Sequence, residues 1–316
     1  MTNLAALPQA VPDLVLVNPA AGGGHAKEVL PSLRKFACDR AWLVEFRLMG
    51  SSQELAAEAR RGAAEGRMRI FVLGGDGTFQ VLLNALAGVP GVVLGVIPAG
   101  GGNDLAAALG LPHDPVLAAE LLLDGHPGDL DAALVRTADG MERLYTGGGG
   151  VGLDAEAARY AGGVYRNLRG RLRYLLSAVR ALIGFHPLRV RAVIATDPPI
   201  EINANVLLVG VLNTPSYGAG MRIAPDAQID DGKLDLVLLE DLRFPQVLAL
   251  IPSLVRRGEL RTGRVRRFRV ERVRIETHRT CSFHGDGEIL GNTPVEVEVV
   301  PRAVRILLPR KPRAAC

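Results

Sequence analysis

Cysteine is scarce. Three residues, at positions 38, 281 and 316 of a 316-residue chain, are too few and too scattered for a disulfide framework or a zinc cluster, and point to a reducing compartment. Aromatic residues are only 4% of the chain, which leaves few platforms for stacking bases and counts against nucleic acid as a partner. No run of 18 apolar residues occurs, and Met1–Ala10 lacks a basic start followed by an apolar stretch. Neither a spanning helix nor an export signal is expected, so the protein should be cytoplasmic with at most peripheral membrane contact. No glycine turn is followed by Gly-Lys-Ser/Thr and the glycine spacing fails the dinucleotide fingerprint, which removes the ordinary phosphate-loop and Rossmann readings.

What is present is globular in character: 48% hydrophobic and 22% charged residues, in a length that favours two domains. The net charge of +4 hides an asymmetry, because residues 1–125 carry −3 and residues 126–316 carry +7. Only four of the 37 basic residues are lysine. Arginine suits phosphate-bearing partners through its planar fork of donors. Ten arginines fall between Arg256 and Arg279, a block that reads either as a solvated strand face or as a patch facing an anionic membrane.

Over residues 1–125 short apolar runs alternate with helical periodicity: Asp13–Val17, Trp42–Leu48, Arg69–Leu73 and Val92–Ile97 read as strands, each followed by a helix. That alternation predicts a parallel sheet with helices on both faces, its sites at the carboxyl ends of the strands. From residue 126 onward short β-rich segments separated by turn residues predict a mainly antiparallel β-sandwich, interrupted by helices over 168–184 and 245–257. The domains are thus 1–125, α/β, and 126–316, β-rich, with the last strand of the chain free to pack back on the first domain.

Three glycine-rich turns fall at strand ends: Asn18-Pro19-Ala20-Ala21-Gly22-Gly23-Gly24, Gly74-Gly75-Asp76-Gly77-Thr78 and Pro98-Ala99-Gly100-Gly101-Gly102-Asn103-Asp104. Glycines admit backbone N–H groups close to phosphate oxygens, and a following helix adds its positive end. A bare phosphate nest has no use for Asp76; a metal ion or a hydroxyl beside the nest does. The plainer alternative is a set of tight turns in which Asp76, Asn103 or Asp104 caps a helix. Asp286-Gly287-Glu288 places two carboxylates in a turn, where they could converge on one ion or stand solvated on a hairpin.

These motifs, together with Gly150-Val151-Gly152-Leu153-Asp154-Ala155, follow the order of the diacylglycerol kinase catalytic-domain superfamily. The chain most resembles its bacterial lipid kinases, relatives of sphingosine and ceramide kinases, from about residue 12 to 309. The resemblance implies ATP in a cleft between the two domains, held by Asn18, by Gly74, Gly75, Asp76, Gly77 and Thr78, and by Gly100, Gly101, Gly102 and Asn103. It implies Asp286 as general base with Asp76 and Glu288 beside it, Glu288 helping to hold a catalytic Mg²⁺. Asp104 and Asp154 would face the substrate, and Asp231, with the carbonyls of Gln228 and Lys233, would bind a structural Mg²⁺. The expected activity is phosphorylation of a lipid hydroxyl, first diacylglycerol, at an anionic membrane surface; a homodimer is compatible with it. An amphipathic basic stripe within Tyr165–Phe185 could meet that surface. The alternatives are an enzyme like NAD kinase, or a non-catalytic nucleotide or lipid sensor. The sensor draws support from departures at Gly101, at Gln80-Val81 and at Leu48-Met49, where relatives commonly carry Thr or Ser, Asn-Glu, and Thr.

Overall fold

The computed structural model describes residues 11–165, 185–216, 221–242 and 262–310, with residues 176, 177, 179–181, 183 and 246. The helices expected over 168–184 and 245–257 lie mostly outside these residues, as does the start of the arginine block.

The first domain is built on parallel strands β1 (Asp13–Val17), β2 (Val44–Leu48), β3 (Arg69–Gly74) and β4 (Val93–Pro98), in the order β2-β1-β3-β4. Strands β1, β3 and β4 are almost wholly buried, as strands covered on both faces must be. Helix α1 (His25–Asp39) packs with α5 (Pro115–Leu123), and α2 (Ser52–Ala64) packs with α3 (Asp76–Leu86). Local chemistry sets the helix starts. Ser51 Oγ accepts from Glu54 N at 3.1 Å while Glu54 reaches back to Gly50 N, and Asp114 Oδ1 accepts from Val116 N and Leu117 N.

The second domain is mostly antiparallel and sandwich-like. Its strands are β5 (His126–Thr137), β6 (Glu142–Tyr145), β7 (Gly148–Gly152), β8 (Leu188–Ile194), β9 (Ile200–Leu212), β10 (Leu234–Glu240), β11 (Val265–Val270), β12 (Arg272–Thr277), β13 (Ser282–Gly285), β14 (Glu288–Asn292) and β15 (Val295–Leu308). Strand β9 serves two layers. Its first half pairs with β8, and its second half pairs with β7 and β10. Side chains from both layers, among them Val190, Ile275, Val209, Leu236 and Phe283, fill one core.

The two domains share a ribbon. Strands β5 and β15 pair antiparallel from Val295 opposite Thr137 to Leu308 opposite His126, with a break in register between Val300 and Val304. Beyond that bulge β15 also pairs parallel with β4, at Arg305 opposite Val93 and Ile306 opposite Leu94. The cores divide inside these strands: Ala132 and Val304 belong to the first, Ala133 and Val299 to the second.

The described arginines of the 256–279 block are largely paired. Arg264 and Arg266 lie near Glu240, Arg269 on Asp231, Arg272 on Glu298 and Arg274 on Glu276. They belong to charge pairs that cross the sheet: Glu142 with Arg136, Arg136 and Arg272 with Glu298, Glu276 with Arg191, and Arg191 with Glu201. A solvated, self-neutralised strand face therefore describes these arginines.

Close packing in the first sheet makes one glycine irreplaceable. A Cβ on Gly95 of β4 would stand 2.2 Å from Cδ1 of the fully buried Phe71. Gly95→Ala should cost about 1–3 kcal/mol through overpacking, read as a lower urea midpoint with an unchanged m-value; wild-type stability would show that Phe71 has room to move.

Candidate active site

The three glycine turns meet backbone to backbone at the carboxyl ends of β1, β3 and β4. A Cβ on Gly100 would lie 2.4 Å from Gly75 Cα, and one on Gly22 would lie 2.3 Å from the Ala99 carbonyl oxygen. No side chain fits between them. Asn18 joins the first turn to the second by donating from Nδ2 to Thr78 Oγ1 at 3.0 Å. Asn103, left-handed at φ 59, closes the third turn on itself, accepting from Gly100 N and donating to Gly100 O. Gly101 and Gly102 lie half-buried on the same turn.

Capping is arranged differently from the local alternative. Gly75 stands at the start of α3 and offers no side-chain cap to it. Asp76 instead accepts from Asp104 N at 3.2 Å and Leu105 N at 3.1 Å, so it caps α4 (Asp104–Ala108) from 28 residues away. The first-turn N–H groups of α3 have no partner within their own helix, which leaves a positive helix end at the turn.

Asp286 comes from the other domain, in the hairpin between β13 and β14, with a left-handed φ of 51. Its carboxylate accepts from Thr146 N at 2.9 Å, Gly147 N at 2.8 Å and Gly148 N at 3.2 Å. Gly147 must be glycine here, since a Cβ would lie 2.8 Å from Asp286 Oδ1. Exposed Glu288 lies across from the second turn, its Oε1 3.5 Å from where a Cβ on Gly77 would stand. Tyr145, fully buried beneath Asp286, donates to Val211 O at 3.1 Å, and burial holds its hydroxyl well above the usual range.

The acids perturb one another. Burial pushes Asp286 up to about 7, against the pull of its backbone donors, and the charge of Asp76 adds to the rise. Burial and the neighbouring Asp104 push Asp76 up to about 6. Such a crowded group of carboxylates is chemically suited to a hard divalent cation. Among the described residues no three His, Cys, Asp or Glu side chains form a ready-made metal cage.

The remaining predicted positions are separate from this group. Asp154 stands in the first turn of α6 (Leu153–Gly162), and its side chain lies outside the described residues. Asp231 accepts from Lys233 N at 3.0 Å and is held by Arg269, while Gln228 and Lys233 are exposed. The Arg269 guanidinium thus lies on the carboxylate expected to bind the structural cation. The loop is anchored by the buried Asp131, which accepts from Gly232 N at 2.6 Å and Arg302 N at 2.7 Å.

Sequence reasoning missed the Thr146–Gly148 cradle, although four successive glycines at 147–150 signal a close backbone approach. It also missed the tether from Gln80, whose Nε2 donates to Gly285 O at 3.2 Å.

Residues 12–135 match the diacylglycerol kinase catalytic domain, and residues 147–308 match the YegS C-terminal NAD kinase beta sandwich-like domain. A diacylglycerol kinase of Mycobacterium tuberculosis is 31% identical over 300 residues, covering 93% of this chain and 94% of that protein. The chain belongs to the diacylglycerol kinase family. A crystal structure of a diacylglycerol kinase from Bacillus anthracis is similar in fold, with a TM-score of 0.71 at 18% identity over 95% of this chain and 97% of that one. Yeast NADH kinase shares the fold more distantly, with a TM-score of 0.51 at 10% identity over 96% and 84%. Against the family pattern, Gln80 is a departure whose side chain this structure puts to use between the domains, and Met49 is buried in the first core.

The raised carboxyl has a sign that stability measurements can read. Below the ordinary Asp value of about 3.9 the group is protonated in folded and unfolded chains alike. Between there and about 7 only the unfolded chain releases the proton, so the contribution to stability is lost as pH rises. The unfolding free energy of wild type relative to Asp286→Asn should fall through that window with a slope approaching about 1.4 kcal/mol per pH unit. A flat difference would mean that Asp286 titrates as an ordinary carboxylate.

Proposed function

We propose that this chain is an ATP- and Mg²⁺-dependent lipid kinase that phosphorylates a lipid hydroxyl, with diacylglycerol as substrate and phosphatidic acid as product. The supporting observation is the juxtaposition across the domain interface of a side-chain-free glycine cradle and an acid poised near neutrality. Backbone N–H groups of the three turns and the N-terminus of α3 would hold the nucleotide phosphates. Asp286 would take the proton from the lipid hydroxyl as its oxygen bonds to the γ-phosphorus and the bond from that phosphorus to the β-phosphate bridging oxygen breaks, releasing ADP. A base that titrates near the working pH suits this transfer. Asp76 and Glu288 supply carboxylates from which Mg²⁺ would be held, and the ion would neutralise charge on the transferring phosphoryl group.

The backbone donors fix the direction of the Asp286 carboxylate, and the left-handed turn lifts it from the hairpin. Lipid access is supported by exposed apolar side chains at the rim. Ile289 stands 47% exposed next to Glu288, and Val164 stands 75% exposed beyond α6, a helix that packs on β14. Arg180 stacks on Tyr160 of that helix and places a cation beside the apolar rim, while Arg159 on the same ring is paired with Glu156. This supports peripheral contact with an anionic surface at the mouth of the site. No described helix is long and apolar enough to cross a membrane.

A panel of diacylglycerol, ceramide, sphingosine and NAD offered with labelled ATP and Mg²⁺ tests the reading, and label should appear on diacylglycerol. Asp286→Asn should lower kcat at least ~100-fold with ATP binding nearly unchanged, as for loss of a base. Wild-type kcat/KM should rise with pH and level off above about 7. ATP binding with no phosphorylated product would instead indicate a sensor. For the surface, Ile289→Asp should reduce co-sedimentation with anionic vesicles about fivefold or more, as loss of a buried apolar side chain implies. Unchanged sedimentation would remove the hairpin from the contact.

A further inference from the structure

Helix α3 carries three polar side chains at successive turns of one face, Asp76, Gln80 and Asn84, on a helix otherwise filled by buried Phe79, Leu82, Leu83 and Leu86. Each reaches a different segment. Asp76 stands at the glycine turn. Gln80, itself buried, donates to the carbonyl of Gly285, the residue directly before Asp286. Asn84 makes a two-way amide pair with the backbone of Leu144, donating from Nδ2 to its carbonyl at 2.8 Å and accepting its N–H at Oδ1 at 2.9 Å.

Leu144 lies in β6, which among the described residues is an edge strand paired only with β5, so the Asn84 amide takes the place of a strand neighbour. Two residues further on, Thr146 begins the backbone cradle that holds the Asp286 carboxylate. The two amides of α3 therefore grip both chain segments that define where Asp286 stands: the strand that delivers it and the strand end that orients it.

We infer that Gln80 and Asn84 are positioning residues, a two-amide clamp that fixes Asp286 of the second domain against the Asp76 end of α3 in the first. The inference rests on the proposed kinase reading for its catalytic consequence, but not for the clamp itself. Along one helix the spacing between the amides is invariant, so the clamp transmits the position of the nucleotide turn to the base without passing through the substrate. Neither amide touches a reacting atom. Their loss should act on the chemical step and leave ground-state nucleotide binding intact.

Gln80→Met keeps the shape of the side chain and removes the donor; Asn84→Ala removes the pair with Leu144. Each should lower kcat for lipid phosphorylation about tenfold, with KM for ATP within about twofold and the thermal midpoint within a few degrees. The double variant should lose less than the product of the two, because both act on one clamp. Independently of any substrate, hydrogen exchange at the Thr146, Gly147 and Gly148 amides should quicken about tenfold in Asn84→Ala. Unchanged kcat in Gln80→Met, a parallel loss of KM and thermal midpoint, or unaltered exchange at residues 146–148 would each overturn the clamp. If wild type phosphorylates no lipid while exchange still quickens in Asn84→Ala, the clamp stands and the kinase reading falls.

Discussion

Strands β5 and β15 constrain everything else in the molecule. They run as one antiparallel ribbon through both cores, contributing Leu130, Ala132, Val304 and Ile306 to the first and Ala133, Val135, Val297 and Val299 to the second. Two domains joined by a simple linker would rotate freely; two domains threaded by a shared ladder of hydrogen bonds cannot. The register break between Val300 and Val304 is the natural point of flexure, with Arg302 left-handed at φ 52. That point is pinned by the buried carboxylate of Asp131, which accepts from the Arg302 backbone and from Gly232 at once. The cleft is consequently flanked by one ribbon common to both of its walls.

Within that frame the site gathers acids that raise one another. Asp76 is spent in part on capping α4, and Asp286 takes three backbone donors, yet both remain raised by burial and by neighbouring acids. The rest of the chain behaves oppositely. On the exposed sheet face Arg136, Arg191, Arg272 and Arg274 are matched by Glu142, Glu298, Glu276 and Glu201, so surface charge cancels locally. Electrostatic strain is concentrated where a cation and a phosphate chain would relieve it.

Much of this was legible in the sequence. Alternating apolar runs and helical periodicity marked β1 to β4 with their helices, and short β-rich segments marked the second domain, because both patterns reflect burial by neighbours close in the chain. The glycine turns were legible as places of close backbone approach at the strand ends. What escaped detection depends on contacts between distant residues. The cap of α4 comes from Asp76, the cradle of Asp286 comes from residues 138 to 140 positions away, and Arg136 finds Glu298 162 positions away. A basic block counted along the chain therefore overstated the charge available at the surface. The polar stripe of Asp76, Gln80 and Asn84 was present in the spacing, but only the packed second domain shows what it faces.

The left-handed conformation of Asp286 narrows how the site can change over evolutionary time. At φ 51 the backbone accepts Gly, Asn or Asp far more readily than other residues. Glutamate, the obvious acidic substitute, would meet backbone strain there and would carry its carboxylate one methylene beyond the Thr146–Gly148 donors. Asparagine keeps the turn and loses the acid. The hairpin thus leaves this position with almost no intermediate states between the acid it carries and a well-folded protein without one, and a lineage that replaced the acid would be expected to retain its shape.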